Sequence, residues 1–168
     1  MTISMYQASV PVFQRMLGNL KAILEKAAAH AQAKKIDESV FLNSRLYPDM
    51  LAMARQVQIA ADFAKGPCAR LAGQEVPKFE DTEKTFAELI ARIDKTLAFV
   101  ATFKPEQIDG QEERDITISV AGNPMTFKGH NYLLHQALPN FYFHVATAYA
   151  ILRHNGVEIG KRDFIGRA

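Results

Sequence analysis

The 168 residues suit one domain, spanning 1–168, and a chain of this length buries roughly two-thirds of the surface it exposes when unfolded. An apolar fraction of 48% beside 23% charged residues excludes a disordered chain. A net charge of +2 is too even for a nucleic-acid-binding face, and the tight basic clusters, Lys34-Lys35 and Lys161-Arg162, have acidic residues close by. Cys68 stands alone, which excludes an internal disulfide and any cysteine-rich zinc motif. No run approaches the roughly 18 apolar residues of a membrane span, and residues 1–7 lack the pattern of a signal peptide. The expected location is therefore the cytoplasm.

Tyr6, Val10, Phe13, Leu17, Leu20, Leu24, Ala27 and Ala31 recur at steps of three and four. That spacing keeps one apolar stripe facing a partner and predicts a long first helix, capped by Ser9 with Pro11 in its first turn. A second helix is predicted from Pro48 to about Lys65, its stripe being Met50, Ala54, Val57, Ala61 and Ala64. Gly66-Pro67 should interrupt it, with Cys68 to Leu71 resuming briefly. Asp81-Thr82 announce a third helix that buries Phe86, Leu89, Ile90, Ile93, Leu97 and Val100 and stops at Lys104-Pro105.

The period then changes to two. Ile116, Ile118 and Val120 alternate with Thr117 and Ser119, Ala121-Gly122-Asn123-Pro124 supplies a turn, and Met125-Thr126-Phe127 follows, which predicts a β-hairpin. A fourth helix starts near Gly129 and ends at His154-Asn155-Gly156. It is apolar almost all round, which points to a central position, and Pro139 should kink it. Ile159, Phe164 and Ile165 predict that the tail packs back. The fold class is all-α, a four-helix bundle with a small hairpin before the last helix.

On the fourth helix Asn140, His144 and Thr147 fall at steps of four and three, so they share one face of an apolar rod. Such a histidine is either a core residue satisfied by a neighbouring helix or a ligand or acid–base group lining a pocket. His130 and His135, five apart, miss the spacing of a metal pair on one face. Asp49, Met53, Gln56 and Ala60 follow helical steps on the second helix. Asp49 either caps that helix or looks with Gln56 into a cleft facing His144, with Arg45 and Tyr47 at its mouth. Arg55, Gln58 and Asp62 fall on the opposite face, expected to be solvated. Cys68 reads as an inert core thiol or as one activated at a helix start. No nucleophile elbow, phosphate-binding loop or zinc-helix motif is present, so the residues name no reaction.

The strings Leu46-Tyr47-Pro48-Asp49-Met50, Arg55-Gln56-Val57-Gln58-Ile59-Ala60 and Leu152 to Phe164 resemble a bacterial family of DinB-like proteins, over nearly the whole chain. The resemblance implies a DinB/YfiT-like four-helix bundle, often a homodimer, among whose relatives are metal-dependent thiol transferases and a thiol-dependent isomerase. It also implies a divalent metal on one histidine of the second helix and two histidines four apart on the last. Here the second helix opens without histidine, and His144 has Asn140 and Ala148 at the four-residue steps. Only His144 carries over, with Asp49 as the substitute oxygen ligand; two protein ligands would make a weak site. Three readings follow. The first is a small-molecule binder or enzyme using His144, Asp49 and Gln56, with Thr147, Asn140 and Arg45 around them, and no tightly held metal. The second is a metal-dependent transferase or hydrolase, and the third a non-catalytic dimerising bundle.

Overall fold

The computed structural model describes residues 3–166. Helix α1 (Val10–Lys34) follows the predicted stripe: Val10, Phe13, Leu17, Leu20, Leu24 and Ala27 are all fully buried. Ser9 stands at its cap position but bonds backwards, its hydroxyl donating to the Met5 carbonyl at 2.7 Å. A one-turn helix α2 (Glu38–Leu42), capped by Asp37, follows.

Helix α3 (Met53–Leu71) departs from expectation at both ends. It starts at Met53, not Pro48, because residues 47–50 form a turn in which Met50 N–H donates to the Tyr47 carbonyl at 3.0 Å. The Arg45 guanidinium clamps the Met50 carbonyl, and Ala52 is extended. At the other end Gly66-Pro67 does not interrupt. Proline deprives the Phe63 carbonyl of its helical partner, yet the helix continues because residues 64–69 are all buried and held by packing.

Helix α4 (Phe86–Val100) begins four residues beyond Thr82. Its cap is Thr85, whose hydroxyl accepts from Glu88 N–H while Glu88 accepts from Thr85 N–H. This reciprocal Thr-x-x-Glu box satisfies two end donors together, which Asp81-Thr82 could not do from outside. Glu38 of α2 takes a third, accepting from Phe86 N–H at 2.8 Å. A short helix α5 (Pro105–Ile108) follows.

Strands β1 (Asp115–Val120) and β2 (Asn123–Lys128) form the predicted antiparallel hairpin, with Ile116 opposite Phe127. Its two-residue turn, Ala121-Gly122, has φ of 49° and 84°. Positive φ at both positions matches the strands' right-handed twist, and only glycine takes it without strain. Ile116 is buried, and Ile118 and Phe127 pack on the core.

Helix α6 (Gly129–Asn131) runs into a π-helical segment (Tyr132–Ala137) and then α7 (Leu138–His154). The π segment lies directly before Pro139. Widening the hydrogen-bond ring there absorbs one residue and accommodates a proline whose ring would collide with the preceding turn. The Asn140 amide donates to the Gln136 carbonyl, one turn back, at 2.7 Å. Contrary to the expectation of an all-round covered helix, Tyr142, Phe143 and Ala146 are exposed. A last turn, α8 (Lys161–Ile165), packs on α1, with Asn19 donating to the Phe164 carbonyl.

Helices α1, α3, α4 and α7 form the bundle, α3 packing on α7 and α4, and α1 on α4 and α7. Phe13 of α1 meets Phe141 of α7 edge to face at 4.9 Å, a geometry favoured by the ring quadrupoles. No helix among the described residues is long and apolar enough to cross a membrane.

Candidate functional site at the α3–α7 seam

His144 projects from α7 onto α3 and retains 9% of its surface. Its Nδ1 lies 2.7 Å from Gln56 Oε1. Gln56, 1% exposed, spends its amide nitrogen on the Leu51 carbonyl at 3.0 Å. A carbonyl only accepts, so the Leu51 bond fixes which end of the Gln56 amide is nitrogen and leaves the oxygen facing His144. That oxygen in turn requires a proton on Nδ1. The neutral imidazole therefore carries its lone pair on Nε2, which no hydrogen bond engages among the described residues. Phe63 stacks on the ring at 6.0 Å, and Phe143 meets it edge-on at 5.2 Å. Burial, with a smaller contribution from the Arg55 charge, lowers the His144 pKa below the ordinary histidine value. The imidazole is thus a neutral, oriented base at neutral pH.

The other sequence-nominated residues are less closely joined. Thr147 is buried, but its hydroxyl donates to the Phe143 carbonyl one turn back. Asn140 is half-buried and occupied with Gln136. Asp49 is exposed in the turn before α3, so it does not share the helical face of Gln56. Arg45 is exposed and holds the same turn through Met50. Leu51, whose apolar side chain gives no sign of a site, supplies the carbonyl that orients the Gln56 amide.

The metal implied by the resemblance can be tested on the donors present. His144 offers Nε2, but the positions one turn either side are Asn140 and Ala148, and Asp49 lies on the exposed turn. Among the described residues no three His, Cys, Asp or Glu side chains gather to hold an ion. The donor set does not fit the three protein ligands of a catalytic zinc site.

Cys68 sits inside α3, fully buried, and burial pushes its thiol up to about 12. This is the inert alternative of the two.

The face of α3 expected to be solvated is instead partly covered, with Gln58 buried and Arg55 and Asp62 half-buried. Arg92 of α4, 4% exposed, reaches Asp62 and Asp81 through Nη2 at 3.1 and 2.9 Å, and Glu83 through Nη1 at 3.0 Å. Gln58, also buried, donates to Glu83, and Arg55 pairs with Asp81. The segment of residues 79–85 thereby lies across α3 and α4. The signal was available in the acidic pair Asp81 and Glu83, which pairs with an arginine and does not cap a helix.

The family model for a domain of unknown function (DUF1993) matches residues 5–165. No curated protein matches the chain. A crystal structure of a DinB family member protein from Shewanella denitrificans is similar at 45% identity, covering 97% of this chain and 92% of that one, with a TM-score of 0.87. The seam between α3 and α7 thus belongs to a DinB-like bundle, and the chain is a member of the DUF1993 family.

Proposed function

We propose that the protein binds a small molecule in an inter-helix cleft at the α3–α7 seam, with His144 Nε2 accepting a proton or hydrogen bond from it. The observation that supports this is the chain Leu51 carbonyl, Gln56 amide, His144 Nδ1. With Nδ1 spent on Gln56, Nε2 keeps a lone pair that no described residue engages, and a donor on a ligand would supply its partner. The ligand class follows from the surroundings: a hydroxyl, thiol or N–H donor on an apolar or planar body that lies against Phe143, which is 55% exposed. Exposed Leu46, Tyr47 and Leu51, before α3, offer further apolar surface.

The test is a thermal-shift screen of phenols and thiols against the wild type and His144→Gln. Compounds that raise the wild-type Tm should lose that effect in the variant. Equal shifts in both proteins would overturn the reading. Elemental analysis separates it from the metal-dependent alternative, since a stoichiometric metal in gently purified protein would replace it.

A further inference from the structure

A cavity of about 270 Å³ lies between α3, β1 and the π segment, lined by Asp62, Phe63, Arg70, Ile118, Ser119 and Tyr132. Arg70 is half-buried there. Its guanidinium lies against the backbone of Gly66, where a Cβ would fall 2.5 Å from Nη1, so the helix is bare where the arginine crosses it. From there Nη1 donates to the Tyr132 hydroxyl at 3.0 Å. Among the described residues Arg70 makes no ion pair and no other hydrogen bond.

Two unspent donor groups therefore converge. A guanidinium has five N–H donors in a planar fork, and one of them is used, on a neutral oxygen. The Tyr132 hydroxyl accepts from Arg70, and its own proton has no acceptor among the described residues although the side chain is 1% exposed. Asp62 lines the same cavity but is held by Lys65 and Arg92, at 2.7 and 3.1 Å, so its charge is already compensated. The remaining walls, Phe63 and Ile118, are apolar, and Ser119 lies exposed on the same wall.

We propose that this cavity binds the carboxylate of a small amphipathic acid, held by the Arg70 fork and the Tyr132 hydroxyl, with its apolar chain between Phe63 and Ile118. A carboxylate is acceptor-only and planar, which matches a fork plus one O–H. At ~30 Å³ for each water-sized unit the volume holds about nine such units, which admits a ligand of roughly that many heavy atoms. The site is separate from the Nε2 of His144, which meets it only through Phe63, so either reading can fail without the other.

Hexanoate and its neutral isostere hexanamide are suitable probes, followed by titration calorimetry and by amide chemical shifts. Hexanoate should bind, hexanamide about tenfold more weakly or worse, since the charge-assisted pair is lost. Arg70→Gln should weaken hexanoate about tenfold and Tyr132→Phe by less. In the wild type the shifts should cluster at Ser119 and Tyr132, a readout that does not depend on any variant folding. Arg70→Lys keeps the charge but loses the fork, so intermediate affinity is expected. Equal affinity for acid and amide, wild-type affinity in both Arg70→Gln and Tyr132→Phe, shifts confined elsewhere, or no binding of hexanoate would each overturn the proposal.

Discussion

His144 Nδ1 and Gln56 Oε1 lie 2.7 Å apart across the α3–α7 seam, a buried bond between residues 88 positions apart in the chain. It makes the histidine's protonation a property of two helices at once.

The first prediction concerns pH. The His144 pKa is lowered in the fold, so between that value and about 6.5 the unfolded chain binds more protons than the native one. Stability therefore rises with pH through this window and is lost as pH falls below about 6.5. Thermal unfolding measured from pH 7 downward should show the loss, and His144→Gln should flatten it. An unchanged slope in the variant would place the titrating group elsewhere.

Arg92 gives the second. Burial opposes its charge, but the hydrogen bond and charge of Glu83 and the charges of Asp62 and Asp81 outweigh it, so its pKa is raised. Arg92→Met would remove the ion pair of Glu83 and leave Asp62 and Asp81 to Lys65 and Arg55. The expected destabilisation is about 3 kcal/mol, near the lower end for a broken buried pair because Asp62 and Asp81 retain 39% and 36% of their side-chain surface. Calorimetry should show a Tm lower by about 10 °C for a chain of this size. A change under 2 °C would show that the cluster contributes nothing net.

A third prediction is chemical. With its pKa at about 12, the Cys68 thiol holds about a thousandfold less thiolate than an ordinary cysteine at pH 8. Iodoacetamide should leave the native protein unlabelled over a time that fully labels it in urea, as read by intact mass. Rapid native labelling would contradict both its burial and its inertness.

The hairpin turn gives the fourth. Ala121 sits at φ 49°, a left-handed conformation that a Cβ disfavours by about 1–2 kcal/mol. Ala121→Asn converts the turn to Asn-Gly, which suits both positive angles, and should stabilise by on the order of 1 kcal/mol. The urea midpoint would rise with the slope unchanged.

Much of this architecture was legible because it follows from period. The stripe from Val10 to Ala31 and the alternation around Ile116 and Ile118 each specify one element and one buried face. What was illegible depended on partners distant in sequence. Pro48 reads as a helix start until Arg45 is seen to hold the Met50 carbonyl in a turn. Pro67 reads as a breaker until the burial around it is known. Asp81 reads as a cap, yet its partner is Arg92. At the site, His144 and Gln56 could be nominated as aligned polar residues. Their bond, and the role of a backbone carbonyl at Leu51, belong to the packed structure alone.

The π-helical segment acts as a phase slip between Tyr132 and His144. A uniform helix would fix their relative bearing by their separation of twelve positions, whereas one inserted residue turns the upstream half by roughly 100° relative to the downstream half. Tyr132 can thereby look toward Arg70 while His144 looks toward Gln56 from the same rod. Deleting a single residue from this stretch would make the helix more regular and aim one of those two side chains away from its partner.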